Sequence, residues 1–169
     1  MPEKILIAYA TKYGSTAGIA TTLGEALGAR GLQVDVRPVR EVRTLEGYDA
    51  VILGSPVYMG NWLSEAVTFV RTHQAELSRL PVALFTVHML NQGEDETSRA
   101  ARQGYTAPVR ALLPGAQEMF FAGKIDYYTL SFFDRLITRL VAKQSGQSKP
   151  VNDLRDWEKI RRWAEEVFA

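Results

Sequence analysis

The densest run of groups able to hold an oxyanion is Thr11–Thr16, TKYGST, which follows directly on the apolar segment Ile5–Tyr9 and opens a helical pattern. Ile5, Leu6, Ile7, Ala8 and Tyr9 are too few for a buried helix and rich in β-formers, as in a strand covered on both faces. At a helix start the backbone N–H groups lack intrahelical acceptors, the helix dipole presents its positive end, and Thr and Ser hydroxyls can donate to oxygen. Thr11, Lys12, Tyr13, Gly14, Ser15 and Thr16 together therefore make a seat for a phosphate. A purely structural use of the same residues is also open, with Ser15 or Thr16 capping the helix and Gly14 turning the chain. The signature GxxxxGK[ST] is absent, and GxGxxG cannot be written over a loop whose sole glycine is Gly14. A hydroxyl-lined loop suits a terminal monophosphate, enclosed on several sides, better than a pyrophosphate passing along a backbone.

Two further stretches have the chemistry of a binding site. The apolar run Asp49–Gly54 ends in Ser55, Pro56, Val57, Tyr58, Met59, Gly60, Asn61 and Trp62. Tyr58, Met59 and Trp62 are expected to form an apolar wall, with backbone amides around Val57 and Gly60 addressing the polar edge of a flat ring. The structural alternative is a rigid turn with two aromatics packed beneath it. The run Pro81–Val87 places Thr86, Val87 and His88 at a strand's carboxyl end, where open α/β sheets present their ligand contacts. His88 either tunes a bound ring or shuttles a proton, or it is a hydrated loop residue. His73 is expected to be a solvated helical residue.

These loops need strands and helices to position them. Ile19, Ala20, Leu23, Ala26 and Leu27 recur at helical spacing and predict a helix over Ala17–Ala29, closed by Arg30 and Gly31. Leu32–Val39 alternates as a half-exposed edge strand. Leu63–Leu77 predicts an amphipathic helix through Ala66, Val67, Phe69 and Val70, and Asp95 or Thr97 caps a helix carrying Ala100, Ala101, Tyr105, Val109 and Leu112. Gln117–Ala122 is a further strand. The alternation predicts an α/β fold: a doubly wound five-stranded parallel sheet with helices on both faces. Right-handed crossovers bring the loops after the first, third and fourth strands together at one sheet edge.

One segment departs from that rhythm. In 127–143, Phe132, Phe133, Leu136, Ile137, Leu140 and Val141 share one helical face, opposite Asp134, Arg135, Thr138 and Arg139. The stripe either packs on the core or stays open as a surface for a membrane interface, a hydrophobic substrate or a second subunit. After the polar linker Gln144–Pro150, Asp153–Phe168 reads as a closing helix with Leu154, Trp157, Ile160 and Ala164 inward.

Composition sets the outer limits. A chain of 169 residues, 46% hydrophobic and 23% charged, is expected to be one domain over 1–169, with an amphipathic insertion at about 126–150. Lacking cysteine, it has no disulfides, thiol nucleophile, thiolate zinc site or cysteine-held iron–sulfur cluster of its own. A net charge of +1 without a basic, aromatic-interleaved stripe argues against a nucleic-acid partner. The first residues carry no cleavage-type segment and no apolar span near a membrane's width, so a cytoplasmic chain is expected. No carboxylate pair or general base stands out, and neither a catalytic residue nor a metal site is assigned.

Taken together, TKYGST, GSPVYMGNW and the strand end TVH resemble the flavodoxin family over essentially the whole chain. The resemblance implies a sheet order of 2-1-3-4-5 with FMN at the switch point between the first and third strands. It further implies that Thr11, Lys12, Tyr13, Gly14, Ser15 and Thr16 hold the FMN phosphate, that Ser55, Pro56, Val57, Tyr58, Met59, Gly60 and Asn61 flank the isoalloxazine, and that Thr86, Val87 and His88 close its far side. Within that family, AGKIDYYTLSFFDRLITRL and the later DWEKI are most similar to the menaquinone-dependent protoporphyrinogen IX dehydrogenases, through Tyr127, Tyr128, Phe133, Asp134, Arg135, Asp156 and Trp157. That branch implies an FMN enzyme passing electrons from a reduced porphyrinogen to a quinone, with peripheral contact on the inner membrane face through Phe132, Phe133, Leu136 and Leu140. Two other uses stay open: a flavodoxin carrying single electrons between redox proteins, and a flavin-free binding module on the same fold.

Overall fold

The computed structural model describes residues 2–126 and 151–169. Its elements are β1 (Lys4–Tyr9), α1 (Ser15–Ala29), β2 (Gln33–Pro38), β3 (Ala50–Tyr58), β4 (Asn61–Trp62), α2 (Ser64–Thr72), α3 (Gln74–Leu77), β5 (Val82–His88), α4 (Glu96–Leu112), β6 (Gln117–Ala122), β7 (Lys124–Asp126), β8 (Val151–Asp153) and α5 (Trp157–Glu166). The amphipathic stripe of 127–143 and the linker 144–150 lie outside the described residues.

The apolar runs become the strands of a parallel sheet in the order β2-β1-β3-β5-β6, with β4 hairpinned onto the end of β3. Leaving the hairpin aside, this is the expected 2-1-3-4-5 order of a doubly wound fold. Side chains alternate across the sheet, so each interior strand feeds two cores. Ile5, Ile7, Ala50, Ile52, Ala83 and Phe85 pack with Ile19, Leu23 and Leu27 of α1 and Ile160, Trp163 and Ala164 of α5. Leu6, Ala8, Val51, Leu53, Val82 and Leu84 face the other way, onto Ala66, Phe69 and Val70 of α2 and Val109 of α4. The half-exposed pattern of β2 is that of the predicted edge strand.

Several expectations change on contact with the structure. The helix read over Leu63–Leu77 breaks at His73, giving α2 and α3. His73 is buried rather than solvated: its ring packs on Phe69 at 4.6 Å between centroids, and Nδ1 lies 3.4 Å from a Glu76 carboxylate oxygen. Leu154 is exposed and precedes the last helix, in which Ile160, Trp163 and Ala164 are buried and Trp157 packs, partly buried, on the same core. Between the two candidate caps for α4, Asp95 makes the bond, accepting from the Ser98 amide at 3.0 Å. Asp156 does the same for α5 through the Lys159 amide at 3.1 Å. Arg30 ties the first and last helices, its Nη1 donating to the carbonyls of Ala164 at 2.6 Å and Val167 at 3.0 Å.

Candidate functional site

The carboxyl ends of β1, β3 and β5 lie side by side, because β1 and β5 both pair with β3. The three sequence-selected loops therefore meet at the switch point, between strands whose crossovers run to opposite faces.

At the end of β1 the chain makes a compact turn in which the Thr11 hydroxyl accepts from the Gly14 amide at 3.0 Å. Gly14, with φ of 90°, then starts α1 in a left-handed conformation open to glycine at little cost. Neither Ser15 nor Thr16 caps the helix. Its N-terminus has no side-chain cap and no acidic residue in the first turn. Thr16 is wholly buried there, and its Oγ1 has no hydrogen-bond partner. A buried hydroxyl left without a partner costs about 1–3 kcal/mol, so such groups are kept where something else needs them. An uncapped helix start beside an unpaired hydroxyl presents several donors to one point, which is what the oxygens of a phosphate monoester require.

The second loop is a continuation of the sheet. β3 turns at Met59 and Gly60, with φ of 53° and 81°, and returns as β4 with Val57 opposite Trp62 and Tyr58 opposite Asn61. Two positive φ values in a two-residue connection are the signature of a type I′ hairpin. Tyr58 is half-buried, Met59 is well exposed and Trp62 is buried, so the three apolar side chains do not share one wall. Trp62 backs the loop instead, its Nε1 donating to Thr86 Oγ1 at 2.9 Å. Ser55 is also committed inward: its hydroxyl donates to the Pro56 carbonyl at 2.9 Å and accepts from the Leu63 amide at 3.0 Å. Pro56 and Val57 are partly buried, and Gly60 and Asn61 are exposed at the tip. Trp62→Phe is expected to lower stability by about 1–3 kcal/mol, since it orphans the buried Thr86 hydroxyl. A urea midpoint that falls with an unchanged m value checks this.

Lys12 spans the gap between the first two loops. Its ammonium lies 3.6 Å from the centroid of the Tyr58 ring and 5.8 Å from that of Tyr13, within cation–π reach of both.

At the third strand end Thr86 and Val87 are buried, and His88 is the last residue of β5 rather than a hydrated loop residue. The Leu90 carbonyl lies 2.6 Å from His88 Nδ1 and can only accept, so Nδ1 carries the proton and Nε2 is left as an acceptor. Tyr105, Phe120, Gln92, Arg102 and Lys159 surround the ring. Burial holds its pKa below the ordinary value of 6.5, and the positive charges of Arg102 and Lys159 push in the same direction against the opposing Leu90 carbonyl. The unfolded chain therefore takes up a proton first as pH falls. The contribution of His88 to stability is full above about 6.5 and is lost progressively below it. Wild-type stability is expected to decline from about pH 6.5 to 5.5, with a shallower slope in His88→Gln. Chemical denaturation across that range, compared between the two proteins, is the check; parallel slopes would assign the decline elsewhere.

Residues 6–152 match the Flavodoxin domain family. Over 97% of this chain and 94% of the relative, it is 26% identical to "Protoporphyrinogen IX dehydrogenase [quinone]" of Escherichia coli K12. A protein of the same name from Leishmania major is also 26% identical, over 98% of this chain and 75% of the relative. Among solved structures, oxidised flavodoxin 1 from Bacillus cereus superposes with a TM-score of 0.58 at 12% identity, covering 97% of this chain and 96% of that one. A Fusobacterium nucleatum flavodoxin bound to flavin mononucleotide superposes at 0.53 with 18% identity, covering 72% and 71%. With the family match running from β1 to β8 and the sheet in the same order, the chain belongs to the flavodoxin family.

Proposed function

We propose that this chain is an FMN-dependent oxidoreductase that takes electrons from a large, apolar, reduced substrate of the porphyrinogen class and passes them to a quinone. The observation that carries the cofactor is the unpaired, buried Thr16 hydroxyl at the uncapped start of α1. In this reading Thr11–Thr16 hold the FMN phosphate, with Thr11 shaping the turn and Thr16 donating. Ser55–Asn61 flank the ring, with Ser55 and Trp62 fixing the hairpin from behind. Thr86, Val87 and His88 close the far side. Bound there, FMN supplies the electron acceptor and donor; the protein orients it, shields one face and leaves the chemistry to its ring. No residue is assigned as a catalytic acid or base, and the whole chain, 1–169, acts as one domain.

Likeness over nearly the full length to proteins named protoporphyrinogen IX dehydrogenase [quinone] supports the enzyme over the carrier. Charge supports it as well, since a net +1 lacks the acidic surface that steers a carrier toward basic partners. Among the described residues no helix is long and apolar enough to cross a membrane. Any contact with a membrane-dissolved quinone is assigned to the stripe at Phe132, Phe133, Leu136 and Leu140, outside the described residues, and the chain is placed in the cytoplasm or against the inner face of the membrane. The test is the visible spectrum and released flavin of the purified protein, followed by turnover of protoporphyrinogen with a quinone acceptor. A colourless protein that rejects added FMN overturns both flavin readings. Bound FMN with no such turnover, alongside rapid reduction by a flavodoxin reductase, leaves the carrier.

A further inference from the structure

We propose that Lys12 is a residue that tunes the reduction potential of the flavin, its ammonium held across the site on the Tyr58 ring so that a cation faces the negative charge that reduction creates. The inference rests on the flavin reading of the site. Among the residues assigned to the cofactor, 11–16, 55–61 and 86–88, there is no Asp or Glu, and Lys12 is the one Lys or Arg. The 3.6 Å contact with Tyr58 joins the loop assigned to the phosphate to the loop assigned to the ring, so the charge is fixed between them instead of ranging through solvent.

Full reduction of the flavin ring adds two electrons, and when a single proton follows them the product carries one negative charge more than the oxidised form. A cation that meets this charge stabilises the reduced ligand more than the oxidised one, and by linkage raises the two-electron potential. A lysine that merely contacted the phosphate would behave differently, because the phosphate has the same charge in both redox states. It would change both affinities equally and leave the potential where it was.

The experiment uses purified holoprotein: wild type, Lys12→Met, and Lys12→Arg as the charge-conserving control. The dissociation constant for oxidised FMN is read by fluorescence titration, and the two-electron midpoint by equilibration with a reference dye. Lys12→Met is expected to weaken reduced FMN about tenfold more than oxidised FMN, which lowers the midpoint by about 30 mV for a two-electron couple. Lys12→Arg should stay close to wild type, and the gap between wild type and Lys12→Met should narrow at high ionic strength. Equal weakening of both redox forms, with the midpoint unchanged, would overturn the tuning role while leaving the flavin site intact. A wild-type protein that binds no flavin in either state would overturn both. Lys12 is exposed, so neither substitution disturbs the core.

Discussion

Replacing Thr16 by Val is expected to separate binding from folding: FMN affinity falls roughly tenfold to a hundredfold while the cofactor-free protein keeps its stability or gains about 1 kcal/mol. Thr16 lies in the first turn of α1, wholly buried, with its hydroxyl unpaired. Val has nearly the same shape and helix propensity, so the change removes an oxygen and little else. Without a ligand that oxygen costs desolvation and receives nothing in return, which is why its loss does not destabilise the fold. With a phosphate in place it would make a charge-assisted hydrogen bond, typically worth about 1.5–3 kcal/mol. Titration with FMN and urea unfolding of the apoprotein read the two halves independently. A Thr16→Val protein that binds FMN as the wild type does, but unfolds more easily, would make the hydroxyl a structural group.

The largest loss of stability is expected from Gly54→Ala. Gly54 lies in the middle of the sheet, paired with Tyr9 on one side and Phe85 on the other. A Cβ added there would run into the Phe85 ring, far inside van der Waals contact. Phe85 cannot step aside easily, being fully buried and packed with Phe121 at 6.2 Å between ring centroids. Overpacking of this severity costs about 3 kcal/mol, a large part of a domain's total stability. Shortening the partner should restore some of it: Gly54→Ala with Phe85→Leu is expected to cost about 1–2 kcal/mol less than the sum of the single changes. Urea denaturation of the four proteins measures the coupling, and strict additivity would show that the ring is not what the new methyl meets.

The sheet was legible because each interior strand is a short apolar run closed by a turn, and parallel strands buried on both faces have that appearance. That the three candidate loops lie side by side followed from strand order, with β1 and β5 both pairing with β3. What stayed hidden depended on partners distant in sequence. Thr11, Thr16, Ser55 and Thr86 are equivalent as hydroxyls in the sequence, yet Thr11 serves the Gly14 amide, Ser55 the Leu63 amide and Thr86 the Trp62 indole, leaving Thr16 unpaired. No spacing rule distinguishes them. The β3–β4 hairpin escaped notice because Met59 occupies a left-handed position where Asn or Asp is the usual signal. His73 read as solvated between Arg71 and Gln74, since nothing in its neighbours reveals that the helix breaks there and turns the ring onto Phe69. In the last helix Trp157, Ile160 and Ala164 face the core as expected and Trp163 joins them, while Leu154 does not, because the helix begins only at Trp157.

The hairpin at Met59 and Gly60 makes one wall of the candidate site an extension of the central strand, laced to its return strand by ladder bonds and anchored through Trp62. The Thr11–Gly14 turn is tied differently, by the Gly14 amide bond to Thr11 Oγ1 and, through a side chain, by the Lys12 ammonium on the Tyr58 ring. The two sides should accordingly breathe on separate clocks. Amide protons of the hairpin will exchange with deuterium slowly, through openings that involve the sheet, while those of 12–15 exchange early. The ligand would then enter and leave past the phosphate side, against a wall that stays in place.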